Sequence, residues 1–371
     1  ATLQKVLPML QGSFALGILS LREPEKIFAV RLGCPLIVGS ADGASYLGSD
    51  VSALLEYTRD MFILEDLEIA VLQEKGIAFY HPDGTPLEKK SLHISWSASA
   101  AQKDGFDHFM LKEIYEQPQV LLSTLKHYVE EETFTFRWDT LPFTKEQALN
   151  LERITIVACG TAYHAGMMGK AMIERLARIK VEADIASEYR YSETMSGEGE
   201  TLIAVSQSGE TADTIAALRK AKERGHRVIA LTNVIGSSVA RESDAVMYTL
   251  AGPEIAVAST KAYSTQVLLF AVLAVALAQL RGQITAQESA DYLRELFSIP
   301  GKVDAILDCR PQVEAFARQQ ISCKDIFFIG RQMDYYTSLE AALKLKEISY
   351  LHSEAYAAGE LKHGTIALID D

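Results

Sequence analysis

Cysteine is scarce in this chain: Cys34, Cys159, Cys309 and Cys323 are the four among 371 residues, and no two form a CxxC pair. That excludes a disulfide framework and a cysteine-held structural zinc site, and it fits a reducing, cytoplasmic setting. Positive charge is also in deficit. Lys and Arg number 36 against 49 Asp and Glu, a formal net charge of −13, so neither a nucleic-acid partner nor an anionic membrane surface is expected. A phosphorylated ligand survives that test, because backbone N–H groups and hydroxyls bind phosphate inside acidic proteins. The first residues are broken by Pro8 and Gly12 and carry no basic segment, so no signal peptide is expected there. The longest apolar run, residues 267–280, contains Gln279; it is too short to cross a bilayer and is expected to be a buried helix. A Gly-x-Gly-x-x-Gly dinucleotide signature is missing too. No cofactor and no metal are expected.

What is present is apolar residue in quantity, 48% of the chain, enough for two or three domains. Residues 1–95 read as short strands, at 14–19, 27–31, 36–38, 46–49, 61–64 and 69–72. Turns separate them at Arg22-Glu23-Pro24, Ala41-Asp42-Gly43 and Pro82-Asp83-Gly84. Runs of this kind suggest antiparallel sheet. Residues 96–150 read as a linker and leading helices. The first helix begins near His108 and is expected to stop or kink at Pro118. A second begins at Thr144, with Gln147 at capping-box spacing.

From residue 151 short buried strands alternate with helices, the pattern of a doubly wound parallel sheet with helices on both faces. Strands are expected at 154–158, 181–186, 202–205, 228–232 and 245–250, with Gly225 closing one of the helices. Helices near 262–281 and 286–320 complete this first α/β domain, 151–295, and lead into the next. The design then restarts: a strand at 325–329, a glycine, a helix, then a strand-like 366–369. The two blocks match at an offset near 170, so residues 296–371 read as the start of a second copy.

The sharpest chemical feature is Ser206-Gln207-Ser208-Gly209-Glu210-Thr211, between a strand and a helix. Ligands of open α/β sheets bind at the carboxyl ends of the strands. There this loop offers N–H groups, hydroxyls and a positive helix terminus, a set that suits phosphate. An ordinary Ser/Thr-capped helix is the other reading. Thr161, in Cys159-Gly160-Thr161, can add a hydroxyl to the same ligand; Cys159 reads as a small buried residue. Val257-Ala258-Ser259-Thr260 precedes the apolar helix and either caps it or reaches the ligand. Lys344 and Glu347 share a helix face, as a surface ion pair or as a carboxylate base beside a cation. His363, in Gly359-Glu360-Leu361-Lys362-His363-Gly364, is a candidate acid or base.

At these residues the chain closely resembles the glucosamine-6-phosphate synthase family, the isomerising glutamine–fructose-6-phosphate aminotransferases. The matching strings include Lys112-Glu113-Ile114-Tyr115-Glu116-Gln117-Pro118, the loop 206–214, Val257–Ala262 and the run from Ala342 to Gly364. The loop alone would indicate only the wider sugar-isomerase (SIS) class. The resemblance implies three-layer doubly wound SIS domains, preceded by the C-terminal part of an α+β N-terminal-nucleophile glutaminase in residues 1–95. It implies fructose 6-phosphate and glutamine as substrates and glucosamine 6-phosphate as product. Thr161, Ser206, Gln207, Ser208 and Thr211 then correspond to the phosphosugar cradle, and Val257 and Ser259 to residues lining the sugar. Glu347 corresponds to the base moving a proton between C1 and C2, Lys344 to its helper, and His363 to the ring-opening histidine supplied by the neighbouring subunit of a homodimer. The family's nucleophilic N-terminal cysteine and its Schiff-base lysine match nothing between Ala1 and Asp371, and are expected beyond those ends. A non-catalytic phosphosugar sensor would need the cradle but neither Glu347 nor His363. A deglycase or aminosugar isomerase of the same class would lack the strand-rich first block.

Overall fold

Turn chemistry shapes the first hundred residues. Asp42 and Gly43, both at positive φ, close the hairpin between Ile37–Ala41 and Ala44–Gly48, the backbone that matches strand twist in a two-residue turn. In the computed structural model, which describes residues 2–74, 76–94, 96, 102–193 and 200–369, residues 1–105 form one unit and 106–371 another. The first unit holds two sheets. One runs Phe14–Ser20, Glu23–Leu32, Ile69–Gln73, Gly76–Tyr80 and Pro86–Leu87; the other runs Ala44–Gly48, Ile37–Ala41, Asp60–Ile63 and Leu92–His93. Neighbouring strands of both sheets pair antiparallel among the described residues, as expected. Ala29, Ala70 and Leu72 face one core with Leu36, Val38 and Phe79, and the alternate residues Val30, Ile69 and Val71 face a second with Leu7.

The second unit opens with a helix, α1 (Phe109–Tyr128), that runs through Pro118 rather than ending there. Proline removes the donor that would serve the Ile114 carbonyl. The Gln117 amide replaces it, Nε2 donating to Ile114 O at 3.1 Å. A short helix, α2 (Lys145–Asn150), follows with the expected capping box between Thr144 and Gln147.

Then come β1 (Arg153–Ala158), α3 (Thr161–Ala177), β2 (Lys180–Ile185), β3 (Glu200–Ser206), α4 (Ala212–Glu223), β4 (Arg227–Thr232), α5 (Ser238–Glu242), β5 (Ala245–Tyr248) and α6 (Lys261–Leu280). The five strands are parallel, in the order β2-β1-β3-β4-β5. Their period of two divides the core. Ile154, Ile156, Ile203, Val205, Ile229 and Leu231 face α3 and α6, while Val157, Leu202, Ala204, Val228 and Ala230 face α4 and α5. The apolar run at 267–280 is the inner part of α6, long and apolar enough to pass for a membrane span but buried within this domain.

α3 and α6 approach closely because Gly169 faces the Phe270 ring. A Cβ at position 169 would meet ring carbons at 2.4 Å. Gly169→Ala is therefore expected to destabilise the unit by about 1–3 kcal/mol. It should lower the urea midpoint at unchanged m-value; an unaltered midpoint would contradict so close a contact.

The long helix expected at 286–320 is two helices, α7 (Ala286–Leu307) and α8 (Arg310–Gln319), with Pro311 in the first turn of α8. Pro311 has no N–H to donate back to the Leu307 carbonyl, so one continuous helix is interrupted there. The repeat is closer than the sequence suggested. β1, α3 and β2 recur as β6 (Asp325–Gly330), α9 (Met333–Ser349) and β7 (His352–Ala357), each displaced by 172 residues. The helix ends repeat as well: Gly160 and Gln332 precede α3 and α9 at φ 55° and 52°, and left-handed Arg178 and Tyr350 end them. β6 and β7 pair in parallel. Residues 366–369, expected as a strand, instead follow a 3-10 turn, Thr365–Leu368. Tyr350 ends α9 early enough for His352–Ala357 to take that edge.

Candidate active site

Between β1 and β3 the strand order reverses, and at such a switch point the two loops leave the sheet in opposite directions and open a crevice. A cavity of about 160 Å³ lies there, at the carboxyl ends of both strands. Thr161 and Cys159 reach it from the β1 end, Ser206, Gln207, Ser208 and Thr211 from the β3 end, and Ser259 and Gln266 from the start of α6. None of these side chains carries a fixed charge; burial pushes the Cys159 thiol up from its ordinary range.

Electropositive character comes from helix ends. α3 and α4, of 17 and 12 residues, both begin at the cavity, and neither has a side-chain cap. Their first N–H groups lack intrahelical partners and carry the positive end of the dipole. α6 begins at the same place but is already satisfied, because Glu254 Oε1 accepts from Thr260 N at 2.9 Å and Ala262 N at 3.1 Å. An incoming anion thus meets two open helix termini and a ring of hydroxyls.

The loop 206–211 is rigid. Ser206 Oγ accepts from Gly209 N at 3.0 Å and shares a 2.9 Å hydrogen bond with the Thr211 hydroxyl. Glu210 points away from the cavity, its carboxylate accepting from Ser238 N and Oγ at 2.8 Å each. Gly209 lies at φ +66°, and a Cβ there would sit 2.0 Å from Ser237 Oγ. Only glycine fits both restrictions.

Thr161 connects this cavity to the second copy. Its hydroxyl donates to Glu340 Oε1 at 2.9 Å, and His164 Nδ1 lies 2.7 Å from Glu340 Oε2. Glu340, 5% exposed on α9, also lies 3.5 Å from Lys344 Nζ, and Lys344 reaches Glu347 Oε2 at 2.5 Å. Nearby, Tyr263 of α6 bonds Thr337; burial and the Glu340 charge push its phenol up to about 12. Glu340, Lys344 and Glu347 follow i, i+4, i+7 spacing and share one helix face.

The structure thus brings together Thr161, Ser206, Gln207, Ser208, Thr211 and Ser259 at the cavity, and links Lys344 and Glu347 to it through Glu340. Val257 and His363 stand apart. The Val257 side chain is 99% exposed, on the loop before α6. His363 lies exposed in the turn after β7, its backbone N–H donating to Glu360 O. Glu340, His164 and Gln266 escaped the sequence reading. The heptad-like spacing with Lys344 and Glu347 was a usable signal for Glu340. Gln266, almost wholly buried with Oε1 unpaired among the described residues, had none.

The family model for the SIS domain matches residues 149–276 and 321–371, the two copies. The glutamine–fructose-6-phosphate aminotransferase (isomerizing) of Clostridium acetobutylicum is 50% identical over 367 residues, 99% of this chain and 60% of that protein; its counterpart in Methanosarcina acetivorans is 43% identical over 369. A solved C-terminal domain of glucosamine-fructose-6-phosphate aminotransferase from Francisella tularensis superposes with TM-score 0.69 at 41% identity, covering 72% of this chain and 75% of that domain. The chain belongs to the glutamine–fructose-6-phosphate aminotransferase family. It spans about 60% of the length of the curated relatives it matches. The doubly wound sheet expected from the alternating pattern and the SIS class that the resemblance implied are therefore established, and the cavity sits at the switch point.

Proposed function

We propose that the protein converts fructose 6-phosphate and glutamine into glucosamine 6-phosphate and glutamate. The phosphoryl group binds at the 206–211 loop between the uncapped starts of α3 and α4, where dipoles and hydroxyls offset its charge without a lysine or arginine. The sugar extends toward α9, where the Glu347 carboxylate takes a proton from C1 of the aminated ketose and returns it to C2. Lys344, 2.5 Å from that carboxylate, holds it in the orientation that proton transfer requires. His363 opens the ring of a sugar bound to a second subunit of a homodimer; its exposed position away from its own cavity supports donation across an interface.

One observation carries this reading above a binding-only role: the line of hydrogen bonds and an ion pair from cavity to base through Thr161, Glu340, Lys344 and Glu347. A sensor would need the cradle alone. The direct test incubates the full-length protein with fructose 6-phosphate and either glutamine or ammonia. Glucosamine 6-phosphate is expected from both nitrogen sources. Absence of product from both would reject the proposal, and tight sugar binding without turnover would favour the sensor.

A further inference from the structure

Backbone polar groups removed from water need partners, and loops outside sheets and helices must find them in side chains. Residues 249–260, between β5 and α6, form such a loop, and it carries Ser259 into the cavity. Asn233 accepts from Ala251 N and donates to Gly252 O near its start, and α1 supplies partners at both ends of the remainder. Tyr128 of α1 donates to Tyr248 O and accepts from Tyr248 N, and Thr124 donates to Thr249 O at 2.5 Å. Three turns further back, Glu113 Oε1 accepts from Ile255 N at 2.6 Å and Ala256 N at 3.1 Å. Glu116 reaches Lys261 Nζ, at the first position of α6, at 2.6 Å. Glu254 completes the arrangement from within, holding Ser259 Oγ at 2.7 Å along with Thr260 N and Ala262 N.

Glu113 is the unusual member. It is 2% exposed, and its second oxygen has no hydrogen-bond partner among the described residues. Burying a carboxylate this way is unfavourable, and burial raises the Glu113 pKa while the two loop amides oppose the rise. An apolar residue at this place on α1 would leave the Ile255 and Ala256 N–H groups without their acceptor. What the carboxylate adds is a fixed acceptor for two consecutive N–H groups, which sets the path of residues 255–256, immediately before Val257 and Ser259.

We infer that Glu113 is a positioning residue for the sugar-contacting loop: through Ile255 and Ala256 it holds Ser259 against the bound sugar phosphate. The inference rests on the cavity being the fructose 6-phosphate site, as proposed above. It makes α1 the template on which one wall of that site is built.

The test compares Glu113→Ala, Glu113→Asp and Glu113→Gln in the full-length protein. Binding of fructose 6-phosphate is measured by calorimetry, and amide exchange is measured across residues 253–260. Asp keeps the charge but withdraws the oxygen by one methylene; Gln keeps an acceptor oxygen in place. Glu113→Ala and Glu113→Asp should weaken binding about tenfold and raise KM with little change in kcat, since a displaced wall costs ground-state and transition-state binding alike. Amide exchange at 255 and 256 should accelerate in both, and Glu113→Gln should stay within about threefold of wild type in every readout. Where Glu113→Ala fails to fold, Glu113→Asp decides. Binding within twofold of wild type in a folded Glu113→Asp protein, with exchange at 255–256 unchanged, would overturn the inference. A wild-type protein that fails to bind fructose 6-phosphate would instead reject the proposed function, and exchange at 255–256 would still judge the bracing by Glu113.

Discussion

Glu347→Gln is expected to lower isomerisation by about a thousandfold, within the range for loss of a positioned general base, while fructose 6-phosphate still binds. The substitution keeps shape and one acceptor oxygen but removes the group able to take a proton. Lys344 then loses its 2.5 Å partner but keeps Glu340 at 3.5 Å, so the α9 face should hold its geometry. The cradle at 206–211 shares no hydrogen bond with Glu347 among the described residues, and sugar affinity should change less than about threefold, as for a group that acts only in the transition state. The decisive measurements are the isomerisation rate of full-length wild type and variant with ammonia as nitrogen source, and fructose 6-phosphate affinity by calorimetry. A variant that isomerises at the wild-type rate would remove Glu347 from the mechanism. A variant that loses affinity and rate in equal proportion would make Glu347 a binding group.

The strands of the parallel sheet were legible because both faces of each strand are buried, so Leu202–Val205 reads as an unbroken apolar run and Ile154–Ala158 as one interrupted only by Thr155. The loop 206–211 was legible for a related reason: hydroxyl residues and a glycine concentrated between an apolar run and a helix mark a polar turn at the end of a strand. Errors arose where a side chain compensates for a local rule. Pro118 should end or kink a helix; α1 does not end there, and Gln117 supplies the missing donor to Ile114. Residues 366–369 are apolar enough for a strand, but the parallel partner of β6 is His352–Ala357, which opens with His and Ser and contains Glu354. Long-range pairs were illegible altogether. Glu340 lies 179 residues from Thr161, and Glu113 lies 142 from Ile255. No periodicity encodes such pairs; they follow from how α1, α3, α6 and α9 pack.

Glu340→Ala is expected to lower the stability of the second unit by about 3–5 kcal/mol, the cost of removing one partner from a buried charged pair. The reason lies in what stays behind. Thr161 Oγ1 and His164 Nδ1 would lose an acceptor at 2.9 and 2.7 Å, and the His164 side chain is only 14% exposed. Both groups are partly buried, so each would keep part of its desolvation cost without its hydrogen bond. Glu340→Gln should fall between, since its oxygen can keep one donor while its amide nitrogen faces the other. Urea titrations at constant m-value measure both. A loss below about 1 kcal/mol for Glu340→Ala, the scale of an exposed pair, would mean the cluster is open to solvent. Stability is half of the expectation. Glu340 is also the link between the cavity and the Lys344–Glu347 pair, so a folded Glu340→Gln protein should isomerise more slowly while the 206–211 loop still binds inorganic phosphate. Combining Glu340→Gln with Thr161→Val completes a double-mutant cycle, and a coupling energy of about 0.5–3 kcal/mol is expected for residues in one hydrogen-bonded network. Strict additivity would separate the two residues and would leave the phosphate end of the site without a physical connection to its base.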